Sequence, residues 1–507
     1  MEITVSKQTA SVSCTLFEQN TEQAIDTDFT LPDYCPDIER VLKCRVVPHL
    51  ISKNISGDTL NIDGVASASL IYCDSNGKLC GFEHEVPFKK SVTVGSAEES
   101  NCVLVSLATD YMNCRAVTQR KMDIHGVILV KIKISGTESR EIITDADAEG
   151  LQLKSGTCPA TSPLGFCEKS IMLEEELELG RGSAAVRSVL RSDARAVVDE
   201  CKMVGQKAII KGDVVINALY CADDGSTELY ENRIPFNQAL DMNTEGENCR
   251  CEARVQVLSC LLRPRTNLSG EAKSLAAECR LNVMAFASCD NELPVLYDAF
   301  STKNELKLTT ADVTVKKLEN TLSERYMCKK TLEFSENTFG SVVDLWCDCK
   351  ADKVQIANGI LTVNGTVAIC FIACDTDGTP QYYERCVDFE YTHNTDCEEQ
   401  ELTATAELAL VGAAYTVLSE SRLEVRVELS ISAGIYLSKK ECVITDIEIS
   451  DEPAAAKKRA PLLVYFAENG EQVWDISKRY GANCSDLMSV NDLKEETLSQ
   501  STMLLIP

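Results

Sequence analysis

Twenty-five cysteines and four histidines are the residues of this 507-residue chain with the most available chemistry. Thiols at Cys-x-x-Cys spacing would hold zinc or run thiol–disulfide exchange, and a histidine beside a serine or cysteine would activate a nucleophile. Neither pattern occurs. The tightest thiol pairs are Cys249/Cys251, Cys347/Cys349 and Cys370/Cys374, and His49, His84, His125 and His393 fall at unrelated places along the chain. Cysteine outside such motifs behaves as a small buried hydrophobe, so reduced core thiols are expected, with metal binding the alternative. There is no Gly-x-x-x-x-Gly-Lys phosphate loop and no Gly-x-Ser-x-Gly elbow. The expectation is a binding protein without catalytic residues, metal or cofactor.

Charge narrows the partners. Fifty Lys and Arg against 78 Asp and Glu leave a formal net charge of −28, which repels nucleic acid and anionic membranes. A basic protein partner stays open. The first residues, "MEITVSKQTASVSC", lack the basic start and apolar core of a secretory signal. No uncharged apolar run reaches the roughly 18 residues of a membrane span, and "LALVGAAYTVL" (408–418) is flanked by Glu407 and Glu420. A cytoplasmic, water-soluble protein is expected.

The elements that would position any site come from an internal repeat. "GDTLNIDGVASASLIYCDSNGKLCGFEHEVPF" (57–88), "GQKAIIKGDVVINALYCADDGSTELYENRIPF" (205–236) and "NGILTVNGTVAICFIACDTDGTPQYYERCVDF" (358–389) share five positions at fixed offsets. These are Gly64/Gly212/Gly365, Cys73/Cys221/Cys374, Gly77/Gly225/Gly378, Glu83/Glu231/Glu384 and Phe88/Phe236/Phe389. Short β-prone runs ending in Asp-Gly, Lys-Gly or Asn-Gly suggest a turn at the first glycine, and the second glycine suits a tight turn with positive φ. The repeated Cys reads as core and the repeated Glu as a solvent-facing strand residue, with a partner contact as the alternative. Leu42, Leu190 and Val343 stand at one offset upstream, in segments compatible with a leading helix. In "RLEVRVELSIS" (422–432) apolar and polar residues alternate, the mark of a strand with one wet face.

Three antiparallel β-sandwich-like repeats are therefore expected, at 1–155, 168–315 and 326–450, in a mainly β chain. Linkers are expected at "TCPATSPLG" (157–165) and "KKLENTLSERY" (316–326), and a tether at 451–460 before a last small domain, 461–507.

"FTLPDYCPDIERVLKC" (29–44), through Leu31 to Ile38, resembles the opening of the SPOCS domain of endospore-forming bacteria. The last domain resembles LysM, a βααβ module. Val464 to Phe466 match its first strand, Gly470 its turn, Trp474 to Gly481 its first helix, Leu487 and Asn491 its second helix, and Leu504 to Pro507 its closing strand. Together the two are similar to the SipL family. That resemblance implies a sporulation adaptor on the mother-cell side of the forespore surface, its LysM-like domain binding a coat-scaffold ATPase and its β repeats other coat proteins. Wall-binding LysM copies carry Gly-Asp-Thr at the first turn, whereas this chain has Gly470-Glu471-Gln472 and no glycine before the last strand. Peptidoglycan binding is thus the lesser alternative. The expected partner-binding residues are Asn469, Gly470, Glu471, Gln472, Trp474 and Asn491, with Trp474 also suited to the domain core at helical spacing.

Overall fold

The computed structural model describes residues 3–95, 97–98, 101–180, 182–242, 249–267, 269–334, 340–395, 401–453 and 463–507. Six strands recur three times. The first unit runs β1 (Thr4–Thr30), β2 (Arg40–Ser56), β3 (Thr59–Cys73), β4 (Leu79–Thr93), β5 (Cys102–Ala116) and β6 (Lys121–Asp147). The second has β7 (Leu151–Glu178), β8 (Val186–Val204), β9 (Lys207–Ala222), β10 (Thr227–Asp241), β11 (Cys249–Thr266) and β12 (Ala272–Ser301). The third has β13 (Asn304–Glu333), β14 (Ser341–Ala357), β15 (Ile360–Cys374), β16 (Pro380–Asn394), β17 (Leu402–Ser419) and β18 (Arg422–Pro453). In each unit strands two, three and four form one antiparallel sheet, and strands one, six and five form another. Their inner faces pack as a sandwich. In β18, Leu423, Val425, Val427, Leu429 and Ile431 are all buried, the alternation read from the sequence.

Three sequence expectations are corrected. The segments expected as leading helices open the edge strands β2, β8 and β14, because their apolar residues serve sheet contacts rather than a helical face. The first repeated glycine is not at a turn. Gly64, Gly212 and Gly365 sit mid-strand, directly opposite Phe88, Phe236 and Phe389. A Cβ on Gly64 would lie 2.3 Å from the Phe88 ring, so the absent side chain makes room for a buried aromatic on the partner strand. The expected linkers are strand as well. Residues 157–165 lie inside β7, where Cys158 and Ala160 are buried, and 316–326 lie inside β13, where Leu318 and Leu322 are buried. β7 edges its sheet, so Pro159 and Pro163 cost no interior ladder bond. Ala148-Glu149-Gly150 and Thr302-Lys303 make the short connections between units instead. Of the expected tether, 451–453 end β18, and 454–460 lie outside the described residues.

The second repeated glycine does turn: φ is 75° at Gly77, 90° at Gly225 and 81° at Gly378. Asp74 braces the first of these turns, its carboxylate accepting from the N–H groups of Asn76 and Lys78, and Asp375 does the same for Asp377 and Thr379.

The three units close a ring. β4 packs on β8, β10 on β14, and β16 on β2. Ile71, Leu219 and Ile372, with Leu190 and Trp346, fill the centre of the ring, and Leu42 and Val343 pack against them. The repeated glutamates are exposed, as expected, and two of them also reach a neighbouring unit here. Glu384 pairs with Lys43 at 2.8 Å, and Glu83 accepts from the Ser192 hydroxyl at 3.3 Å. Between units two and three the Arg191 guanidinium grips Asp344 in a two-point pair of 2.7 and 2.9 Å, both side chains almost fully buried. Lys43, Arg191 and Asp344 each stand 21 residues before their unit's first glycine. One repeat position thus carries opposite charges in different units and helps make each interface distinct.

Beyond the ring, strands one and six of every unit extend as two-stranded arms. Ile142, Cys158, Leu293, Val313 and Val443 pack in one apolar cluster, and Ile143, Leu296 and Ile444 in the next. The chain ends in β19 (Leu463–Ala467), α1 (Val473–Tyr480), α2 (Cys484–Val490) and β20 (Thr502–Ile506), a small βααβ domain. Among the described residues no helix is long and apolar enough to cross a membrane.

Candidate functional site

The small domain is built on alternation in "LVYFA": Tyr465 and Ala467 of β19 turn inward, and Val464 and Phe466 turn outward. β20 pairs with it antiparallel, and Val473, Ile476, Leu487, Leu498 and Leu504 complete the core. α1 stops at Gly481, whose left-handed φ of 62° needs no Cβ, and Asn483 caps α2 by accepting from the Ser485 N–H at 2.9 Å.

The six residues expected to bind a partner do not form one surface. Asn469 and Gly470 are exposed at the turn after β19, where Gly470 has φ 90° and its N–H donates to the Leu498 carbonyl at 2.8 Å. Glu471 braces that turn from inside. Its carboxylate accepts from the Glu468 N–H at 2.9 Å and from the Tyr465 hydroxyl at 2.8 Å, and these bonds hold its pKa below the usual carboxylate range. Asn491 is a staple between α2 and β20. Its side chain donates to the Leu487 and Leu505 carbonyls and accepts from the Leu505 N–H, all within 2.8 Å.

Gln472 and Trp474 meet the second unit of this same chain. The Trp474 indole N–H donates to Asp298 at 2.9 Å, and its ring meets Phe300 edge-on at 5.0 Å. Lys478, one helical turn on, donates to both Asp298 oxygens at 2.7 and 2.6 Å. Lys154 donates to the Gln472 side chain at 3.0 Å, and the Cys484 N–H donates to Gln152 at 3.3 Å. Burial alone would raise the Asp298 pKa, but Lys478 and Trp474 outweigh it and leave the group below its ordinary value. So α1 docks the domain onto the arm formed by β7 and β12.

What stays open is the outer face of β19–β20. Phe466 is 74% exposed and lies directly opposite Met503, 63% exposed, with Val464 beside them on the same face. Sequence reading passed over these residues, although the period-2 pattern of "LVYFA" sends Val464 and Phe466 outward once Tyr465 is placed inside. These side chains form a small exposed apolar cluster on the face turned away from the domain core.

The segment resembling the SPOCS opening is also well built. Leu31, Cys35 and Ile38 are buried, and the Arg120 side chain from the β5–β6 turn donates to the Leu31, Pro32 and Cys35 carbonyls and to Asp37. The Tyr72 hydroxyl donates to the Pro36 carbonyl at 2.9 Å. Only Tyr34 stands out, 82% exposed.

A family model described as SipL, SPOCS domain matches residues 37–117 and 185–262. The two stretches cover corresponding strands, β2 to β5 and β8 to β11. These two stretches are similar to the SipL SPOCS domain. The third unit repeats the strand order and the glycine–phenylalanine pair of the two matched SPOCS units. No curated protein and no solved structure matches the chain. The matched SPOCS domain supports a sporulation-related protein.

Proposed function

We propose that the chain is a non-enzymatic adaptor of spore-envelope assembly. In this reading it works on the mother-cell side of the forespore surface, the small LysM-like domain binds a coat-scaffold ATPase, and the SPOCS ring offers sites to other coat proteins. The observation that carries the reading is the apolar face of Val464, Phe466 and Met503, left open on a domain otherwise fixed to the second unit. Aromatic and apolar side chains that become buried on binding can anchor a protein–protein interface. Docking supports the reading too, since a domain held at one place on an arm presents its face in a fixed direction.

The test is a paired binding experiment on the full-length chain, with purified coat-scaffold ATPase in one arm and insoluble peptidoglycan in the other. The adaptor reading expects saturable ATPase binding, weakened about tenfold or more by Phe466→Ser, with the far-ultraviolet spectrum unchanged. Retention on peptidoglycan without ATPase binding would overturn it in favour of a wall-binding protein.

A further inference from the structure

Some of the cysteines, dispersed in sequence, are brought together in pairs by the fold. Among the described residues all are free thiols. Cys201 on β8 and Cys251 on β11 lie on different sheets of the second sandwich, with their sulfurs 3.0 Å apart. Cys44 on β2 and Cys114 on β5 occupy the matching seam of the first sandwich, near enough for each thiol to shift the pKa of the other. At these seams β8 and β11, and β2 and β5, approach within 8 Å between Cα atoms. The corresponding seam of the third unit, β14 against β17, has cysteines only on β14, because β17 contains none.

We propose that Cys201/Cys251 and Cys44/Cys114 are oxidisable dithiols, sites at which a small-molecule disulfide closes a covalent bond between the two sheets of a sandwich. The sulfurs of the first pair need to move only about 1 Å closer to reach bonding distance. All four residues are partly exposed, so a donor can reach them. Within each pair, the S–H of one partner stabilises the thiolate of the other. One sulfur of each pair can therefore attack while the other resolves. The Cys251 thiolate attacks one sulfur of the donor RSSR, forming a mixed disulfide and releasing one RS⁻. Cys201 then loses its proton, attacks Cys251 and releases the second RS⁻. Two protein thiols and one donor disulfide become one protein disulfide and two RSH, the two electrons passing to the donor.

Cys260 and Cys279 provide an internal comparison. Their sulfurs are also 3.0 Å apart, across the β11–β12 ladder, but Cys279 is fully buried. Cys260 is partly exposed but Cys279 is not, so only one sulfur of this pair is open to a donor and the pair should oxidise last.

The experiment treats the reduced full-length chain with oxidised glutathione, alkylates the remaining thiols and maps non-reduced peptides by mass spectrometry. Expected are linked peptides joining 201 to 251 and 44 to 114, with Cys260 and Cys279 alkylated after denaturation, and a Tm rise of roughly 5 °C. Cys201→Ser, with Cys201→Ala as the second variant should the first misfold, should leave Cys251 as a persistent glutathione adduct. Glutathione retained on both members of a pair in the wild-type chain would overturn the proposal. So would free thiols at these four positions after exposed Cys386 and Cys442 have reacted, or bridges scrambled into the third unit.

Discussion

At the scale of single residues, the two repeated glycines answer to different physics. Gly77 needs its positive φ but has open space around it, so a side chain there meets backbone strain alone. Gly64 has ordinary strand geometry and no space, because the Phe88 ring occupies the place of its Cβ. Gly64→Ala should therefore cost about 1–3 kcal/mol through overpacking, and Gly77→Ala about 1 kcal/mol through strain. Urea unfolding separates the causes: adding Phe88→Leu should recover part of the loss for Gly64→Ala and none for Gly77→Ala. The segment from Leu31 to Ile38 permits a similar contrast. Arg120→Ala removes the donors that hold three carbonyls and should lower stability by about 1–3 kcal/mol, whereas Tyr34→Ala should stay within about 0.5 kcal/mol of wild type. An equal loss in both would contradict the strapping role of Arg120.

Among the elements, α1 divides its work between the core of its own domain and the arm of the second unit. Asp298 is the hinge of that contact, and its depressed pKa fixes the sign of the pH effect. Docking holds the carboxylate charged, so its contribution is full above the ordinary carboxylate pKa and is lost as pH falls through the lower, docked value. Asp298→Asn should weaken docking already at neutral pH. Trp474 leaves the Phe300 contact on undocking, while the other tryptophan, Trp346, stays in the ring core. Emission should therefore shift to the red in the variant at pH 7, and in wild type only in acid. A wild-type spectrum in the Asp298→Asn protein would show that Asp298 does not hold the domain. Glu471 also acts through geometry. Since it braces the turn beside Asn469, Glu471→Ala is expected to disturb the turn itself rather than delete one contact.

For the whole molecule, stability depends on ring closure. The Arg191–Asp344 pair is buried where units two and three meet, so removing one partner strands a charge in the interior. Asp344→Ala should cost about 3–5 kcal/mol, and the volume-matched pair Arg191→Met with Asp344→Leu should recover most of it. Chemical denaturation of the full chain checks both. If the single variant melts like wild type, units two and three do not depend on this pair for their cohesion. The arms add a second junction, where hydrophobic residues of three units meet in shared clusters. A ring plus a three-arm junction gives a scaffold whose small domain faces one direction.

The sequence by itself determined the local grammar. Fixed offsets revealed three copies of one unit, alternation marked the strands of β18, and the second glycine of each copy announced its turn, because these features depend on neighbours a few residues away. It misplaced what depends on partners far along the chain. Gly64 read as a turn because Phe88 was not yet known to lie across from it, and 157–165 read as a linker because the arms that bury Cys158 and Ala160 were invisible. The site fared likewise. Asn469 and Gly470 are where the turn residues were expected, but Trp474 was claimed by Asp298 and Phe300, nearly 180 residues upstream. Which apolar side chains remain exposed, which charges pair and which thiols meet are all decided by contacts between distant strands, and only the tertiary structure brings those strands together.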